Sequence, residues 1–538
     1  MFLNGIRIHL LRIEKKRKCV LRKFSSSKVR KSICTYEVKR NEPPCGVFDS
    51  CHVGEIGNQP KIVIVGAGVA GLSAAQRLLQ CGLTDITIVD GLSRPGGRIH
   101  TDNLGGCYID LGAQWIYGST IGNPIFNIAA QEGLIKQPVK PREPNRGFFY
   151  TSDGKAIDSF VYEKAKRIFD NISQKAFLYS SKQIEYINIT FWDFFKKAIM
   201  DQMKKLTRYE QNYSQRVILG LTNDLKSKFA ADLSDITLGS LNHIHQIVGG
   251  DVCVKSGFSG ILKPLMANIP KEALKLGKPV KKVRWYTGTD PRAQVILTDG
   301  TVVSGDYIIL TVSLGVLKEN HSQLLIPPIP KKKSQAIEAI GYGHANKVFL
   351  QYEQPFWVEG EGIIRPAWSP EEMKDRTQWI HSLGMIEEAP CPGNTLMLEI
   401  GGTEATYLES ASDQEVTEQL TCLMRNITGN VSIPAPKAVV KSAWSYNPLF
   451  MGAKSYMTKD TFPKHFKDLS TPLPEIGTNA APTLFFAGEA TVYGNHGTVH
   501  GARLSGIREA DTIVTLTKRF CGRPPITLSS KTCGHCML

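Results

Sequence analysis

Lys61-Ile62-Val63-Ile64-Val65-Gly66-Ala67-Gly68-Val69-Ala70-Gly71 decides the fold. Residues 61–65 form a short, β-branched apolar run, the pattern of a parallel strand buried on both faces. Three glycines follow at once. Gly66 permits a tight turn, Gly68 lets the backbone approach a pyrophosphate, and Gly71 lets the next helix pack closely on the strand. Leu72, Ala75, Leu78 and Leu79 then share one helical face, and Ile86–Val89 reads as a second strand. The result is a βαβ unit with a helix N-terminus aimed at a phosphate. Asp90, at the end of the second strand, stands where an acidic side chain takes a ribose hydroxyl. Strand, glycine turn, helix and acidic residue in this order carry far more weight than the glycines alone.

The 538 residues leave room for two to four domains. Apolar residues make up 42% and charged residues 21%, as in ordinary globular proteins. No apolar run reaches the ~18 residues of a membrane span. The net charge of +16 suggests an acidic partner until its position is read. Residues 1–40 hold 13 Lys and Arg against Glu14 and Glu37, so the body carries only +5. A nucleic-acid surface needs a basic face on a folded domain, and none is legible. The basic segment is Arg-rich and acid-poor with no continuous apolar core, which argues against export. It reads either as a mitochondrial transit peptide, with Arg22-Lys23-Phe24-Ser25 similar to a processing site, or as a disordered extension without an address. A cytoplasmic location is favoured, a mitochondrial one stays open, and Cys536-Met537-Leu538 is a weak match to the peroxisomal signal. Twelve cysteines form no disulfide framework in this reading. Cys81 and Cys107 lie in apolar or Gly-rich segments and are expected to be reduced. Cys533 and Cys536 are a lone CxxC, too few ligands for zinc. The sequons at Asn171 and Asn188 carry little weight without an export signal.

Farther along, residues ~155–230 show Phe160, Ala165, Ile168, Phe169, Phe191, Phe194, Phe195 and Ile199 at helical spacing, a helical insertion. Strand patterning returns at Val280–Trp285, Ala293–Thr298 and Tyr307–Thr311, with Asp299-Gly300 as a hairpin turn. Lys347–Tyr352, Trp379–Leu383 and Thr395–Ile400 read as further strands, Ser412–Ile427 as a helix, and Thr483–Ala487 as a strand before a helix from about Leu504.

Several motifs carry a resemblance. Ser93-Arg94-Pro95-Gly96-Gly97-Arg98 resembles the Gly-Gly-Arg element of the flavoenzymes that include amine oxidases, protoporphyrinogen oxidase and phytoene desaturase. There the Arg contacts the FAD pyrophosphate, a role suited to a guanidinium. NAD alone becomes the lesser alternative. Asp110-Leu111-Gly112-Ala113-Gln114-Trp115-Ile116-Tyr117-Gly118 resembles the stretch that runs past the flavin in spermine and acetylpolyamine oxidases, with Tyr117 where that family has an active-site His. Gly341–Leu350 resembles the strand bearing the amine oxidase Lys, here Lys347. Leu484–Thr491, Val499-His500-Gly501-Ala502 and Leu504–Ala510 resemble the second flavin-binding element. Gly277-Lys278-Pro279-Val280, Thr311–Lys318 and Ser442–Pro448 agree, with Asn447 in place of the family's Asp.

The resemblance to the flavin-containing amine oxidases, and among them the polyamine oxidases, covers roughly residues 60–515. It implies an FAD/NAD(P)-binding Rossmann-like α/β domain interleaved with an α+β substrate domain. The expected cofactor-binding segments are 59–130, 250–330 and 475–518, and the substrate-binding segments 131–249 and 331–474. Residues 1–58 and 519–538 lie outside them. It implies FAD bound by Gly66, Gly68, Ala70, Gly71, Asp90, Arg98, Gly112, Ala113, Gln114, Trp115, Val280, Trp444, Glu489 and Val499. Ser455, before Tyr456 and near where monoamine oxidases attach FAD through a Cys, implies noncovalent binding. Lys347 and Tyr117 are the candidate catalytic residues. Trp115, Tyr117, His496 and Thr498 are candidate substrate contacts, Asn495 and His496 replacing an aromatic wall. The implied reaction oxidises a polyamine at a secondary amine, giving an imine that hydrolyses to an aldehyde and a shorter amine, while oxygen becomes hydrogen peroxide. The rivals are a C–C desaturase, a histone-demethylase-type oxidase, and a flavin-binding protein with an altered substrate or without catalysis. Oligomeric state is not legible.

Overall fold

The computed structural model describes residues 51–54, 58–135, 147–181, 189–243, 247–391, 393–478 and 480–524. The basic segment, Asn188, Cys533, Cys536 and the C-terminal tripeptide lie outside them. Residues from Cys51 onward form one compact unit.

The opening strand, Ile62–Val65, is buried at all four positions and sits in the middle of a five-stranded parallel sheet. Its neighbours are Ile86–Val89 and Tyr307–Leu310, in the register Ile62↔Ile86 and Ile62↔Tyr307. Leu484–Phe486 and Leu274–Lys275 form the two edges. The helix after the glycine turn, Val69–Gln80, packs against the C-terminal helix, Val499–Phe520. A Cβ on Gly506 would lie 2.1 Å from Ala70 O, so only glycine allows this close crossing. A four-stranded sheet stands beside it, with Val280–Arg284, Ala293–Leu297 and Val302–Gly305 joined through the turn at Gly300, whose φ is +84°.

A six-stranded sheet holds Ala438–Lys441, Ala345–Gln351, Thr395–Gly401, Ile386–Glu388, Ile364–Ala367 and Phe148–Thr151. Period-two alternation gives it two faces. Val348, Leu350, Leu396, Leu398 and Ile400 pack into a core with Leu408, Val416 and Leu420. Phe349 and Met397 turn the other way, onto Cys107, Ile109, Leu111 and Trp444. The cofactor-side strands and the six-stranded sheet therefore share a core, and Lys347 and Glu399 stand on this second face. The helical insertion is present as Ser159–Ser181, Phe191–Met203 and Arg208–Phe229. Its core is aromatic, with Phe191 stacked on Phe195 at 4.8 Å and Phe169 edge-on to Phe195 at 5.4 Å.

Three expectations are corrected. Trp379–Ser382 is a short 3-10 helix, because His381 N and Leu383 N bond back to Gln378 O and Ile380 O. Cys107 is disulfide-bonded to Cys391, a partner 284 residues away whose proximity only the packing of the two sheets creates. The C-terminal helix runs to Phe520, and Arg523 bonds Asp306 through Nε at 2.9 Å and Nη2 at 2.8 Å, so residues 519–524 belong to the folded body.

A buried charge cluster ties the helical insertion to the six-stranded sheet. Lys226 Nζ lies 2.7 Å from Glu404 and 3.2 Å from Asp232, and Arg376 bridges the same two carboxylates at 2.8 and 2.7 Å. Burial pushes Asp232 up, but Lys226, Arg376 and the Thr403 hydroxyl together hold it down at about 2. A carboxylate lowered by folding contributes stability above its unfolded pKa, ~3.8, and loses it as pH falls toward ~2, in all about 2 kcal/mol. Thermal melts from pH 5 to pH 2.5 should show this loss. Asp232→Asn should melt lower at pH 7 and vary less across that range, and an equally steep profile in the variant would refute the assignment.

Candidate active site

Segments from both sheets converge on one cavity of about 690 Å³. The glycine turn forms one end. Gly66 has φ +110°, and a Cβ there would lie 2.2 Å from Thr311 Oγ1. A Cβ on Gly71 would lie 1.9 Å from Gly66 O, so Gly71 packs the helix on the turn and does not itself line the cavity. Gly68 does line it, and a Cβ there would meet nothing within 4 Å. Gly68 is also the N-cap of its helix with no side-chain cap, leaving the first-turn N–H groups for an anion. Asp90 Oδ2 accepts from Ala67 N at 2.6 Å, and Oδ1 from Leu92 N at 2.7 Å. Burial pushes this carboxyl up against the pull of those amides and Arg94. Asp90 thus pins the glycine turn from the cavity wall. Val280 lines the same end.

Arg98 and Glu489 meet in the middle, 391 residues apart in sequence. Arg98 Nη1 donates to Glu489 Oε1 at 2.9 Å and to Ala453 O at 2.7 Å, and the guanidinium lies 5.8 Å from the Tyr342 ring centroid. Burial pushes the Tyr342 hydroxyl up to about 12. Burial also pushes Glu489 up, but Arg98, the Ser455 hydroxyl and Gly497 N, which donates at 2.7 Å, hold it below the usual carboxylate range.

Lys347 stands at the far end. Its Nζ donates to Asp110 O at 3.0 Å, Gly112 O at 2.8 Å and Gln114 Oε1 at 2.7 Å. Three acceptors suit the three N–H groups of an ammonium. Gln114 Nε2 in turn contacts Met397 Sδ at 3.4 Å. Burial pushes the Asp110 carboxyl up, opposed by the Thr101 hydroxyl, Phe258 N and Lys347. Gly112 touches Arg98 O on one side and Trp444 on the other, and a Cβ would lie 1.9 and 3.4 Å from them. Trp444 Nε1 donates to Leu111 O at 3.1 Å. Its backbone N and those of Ser445 and Tyr446 donate to Glu409 at 3.1, 2.8 and 2.9 Å.

Ala70, Ala113, Trp115, Tyr117, Thr498 and Val499 also line the cavity, with Tyr117 41% exposed. His496 does not. It is buried against Phe466, ring centroids 5.1 Å apart, because the turn at Gly497 (φ +70°) brings Thr498 to the wall in its place. Asn495 O accepts from Thr498 Oγ1 at 2.6 Å, and Asn495 too stays off the wall. Ala453 and Lys454 face the cavity, whereas Ser455 turns to Glu489. Among the polar wall residues missed from the sequence are two charged ones, Glu399 and Lys454. The one signal the sequence offered for Glu399 is that it is the only charged residue of the strand Thr395–Gly401.

This donor set fits FAD. An uncapped helix start and a Gly68 free of neighbours suit a pyrophosphate, and the cavity continues past Arg98 to a second helix start at Val499, where Thr498 caps Gly501 N at 3.0 Å.

Comparison with known proteins agrees. Residues 69–514 match the family of flavin containing amine oxidoreductases. A human peroxisomal N(1)-acetyl-spermine/spermidine oxidase is 31% identical, the match covering 86% of this chain and 96% of that protein. A probable polyamine oxidase of Arabidopsis thaliana is 26% identical over 84% of this chain and 98% of its own. A solved structure of a putrescine oxidase bound to putrescine superposes with a TM-score of 0.62 at 19% identity, covering 85% of this chain and 99% of that one, a likeness of fold. Among the described residues no helix is long and apolar enough to cross a membrane. The chain belongs to the flavin-containing amine oxidoreductases and is an FAD-dependent amine oxidase.

Proposed function

We propose that this enzyme oxidises a polyamine such as spermine, spermidine or an N-acetylated form at a secondary amine. The products are an imine, hydrolysed to an aldehyde and a shorter amine, and hydrogen peroxide. The observation that carries this reading is the single cavity running from the glycine turn to Lys347. Bound FAD supplies the hydride acceptor and hands the electrons to oxygen. Gly68, Arg98 and the Glu489 pair would hold its phosphates, Asp90 and Val280 its adenosine end, and Gly112 to Trp115, Trp444 and Val499 the ring. No cysteine lines the cavity among the described residues, which supports noncovalent binding. Lys347 would fix Gly112 and Gln114 beside the ring and place a positive charge where oxygen is reduced. Tyr117, Trp115 and Thr498 would contact the amine.

A tyrosine titrates near ~10 and gives no imidazole-like step near neutrality. The rate of flavin reduction should therefore rise with pH as the amine loses its proton, without an inflection near ~6.5. Anaerobic mixing with spermine, spermidine and N-acetylspermine, followed near ~450 nm, tests the reading. Bleaching by one of them is expected. A flavin that none of them bleaches would overturn the polyamine assignment and favour an altered substrate, consistent with Lys454 in the wall.

A further inference from the structure

Glu399 is the one cavity-lining carboxylate that no part of the cofactor site accounts for. Asp90 is held by Ala67 N and Leu92 N, and Glu489 by Arg98, Ser455 and Gly497 N. Glu399 lies directly opposite Lys347 across the antiparallel pair of Ala345–Gln351 and Thr395–Gly401. Cross-strand partners on one face have Cβ atoms ~5 Å apart, so both side chains leave the sheet toward the same cavity. Lys347 then turns away, to Asp110 O, Gly112 O and Gln114. The Glu399 backbone belongs to the ladder, but among the described residues its carboxylate takes part in no side-chain hydrogen bond or salt bridge. Lys454, another charged residue of the wall, donates through Nζ to Lys228 O. Burial lowers the Lys454 pKa, and Glu399 opposes that.

A carboxylate that lines a cavity and takes no side-chain partner has lone pairs free for a cationic ligand. A substrate with one amine over the ring needs a site for its second, protonated nitrogen, and a carboxylate accepts a charge-assisted hydrogen bond from it. We propose that Glu399 anchors the non-reacting ammonium of the substrate and so selects for diamines and polyamines over monoamines. The inference rests on the reading of the cavity as a polyamine site. Lys454, beside it, weakens the anchor and limits how much positive charge the cavity accepts.

The test uses two probes on the flavin-loaded enzyme: spermidine, and an analogue in which the terminal ammonium distant from the reacting nitrogen is replaced by methyl. Anaerobic stopped-flow reduction gives Kd and the limiting rate for each. In Glu399→Gln, the Kd for spermidine should rise about 10-fold or more, the scale of a lost hydrogen bond to a charged group. The analogue's Kd should change less than about twofold, and the limiting rate and its pH profile should not move. Lys454→Met should lower the spermidine Kd several-fold and leave the analogue's unchanged. Equal shifts for both probes, no shift for either, or a displaced pH profile of the limiting rate would each overturn the anchor. Should Glu399→Gln fail to load flavin, the Lys454→Met pair of measurements decides alone. A wild-type enzyme reduced by neither probe would instead refute the polyamine reading, and the anchor with it.

Discussion

Arg98→Ala is expected to purify without flavin and to unfold with a loss of about 3 kcal/mol, the scale of breaking one side of a buried ion pair. The reason lies in what remains. Glu489 is buried and held ionised chiefly by Arg98, and truncation leaves its charge facing a cavity that a pyrophosphate should enter. The anion and the carboxylate would then repel one another with no cation between them. Ala453 O also loses its donor, which loosens the segment next to Lys454. The double variant Arg98→Met with Glu489→Gln separates the two effects. It should recover most of the stability and still bind flavin poorly, since the guanidinium is missing. The ratio of absorbance near ~450 nm to protein absorbance, with urea melts, measures both. Normal flavin content in Arg98→Ala would reduce the residue to a structural tie.

Lys347→Met should slow reoxidation of reduced flavin by oxygen roughly 100-fold, the scale of removing one preorganised charge from a water-excluded site. It should slow amine-driven reduction far less. The lysine also clamps Asp110 O, Gly112 O and Gln114 Oε1, so its loss leaves buried acceptors unpaired. It further removes the charge that opposes the upward shift of the Asp110 carboxyl. A purely structural lysine predicts the opposite pattern, namely weaker flavin binding with an unchanged rate constant for oxygen. Double-mixing stopped flow, reducing first and then adding oxygen, reads these quantities separately.

The parts of this site that were legible in the sequence are local ones. Ile62 to Gly71 and Asp90 lie within 30 residues, and each glycine does what strand-turn-helix geometry demands of it. Lys347 and Glu489 were legible only through resemblance, since nothing in a strand lysine announces that it will bond Gly112 and Gln114. What escaped depended on pairing across long spans. Cys107 had an apolar setting that suited a reduced thiol, and Cys391 became its neighbour only when the strand Cys107–Asp110 met the six-stranded sheet. Trp379, Ile380 and Leu383 supplied enough bulky apolar residues to suggest a strand, but the chain turns there instead. His496 and Thr498 were two residues apart in a loop, and only the φ of Gly497 decided which one met the wall. Glu399 went unremarked because the side a strand residue faces depends on a register that only the partner strand sets.

The central parallel sheet takes its second strand from residues 86–89 and its far edge from Leu484–Phe486, some 400 residues later. The helix that buries one face of that sheet begins later still, at Val499. On a ribosome making about 15 residues per second, close to half a minute passes between the emergence of the glycine turn and that of the segment that completes its cavity. From the time it is made until Leu484–Phe486 emerges, Tyr307–Leu310 has an unfilled outer edge, a surface inviting chaperones or wrong partners. The cofactor therefore has no complete cavity to enter until the segment from Leu484 to Val499 has been made, and a chain that stops short of residue 484 is left without either Glu489 or the helix from Val499.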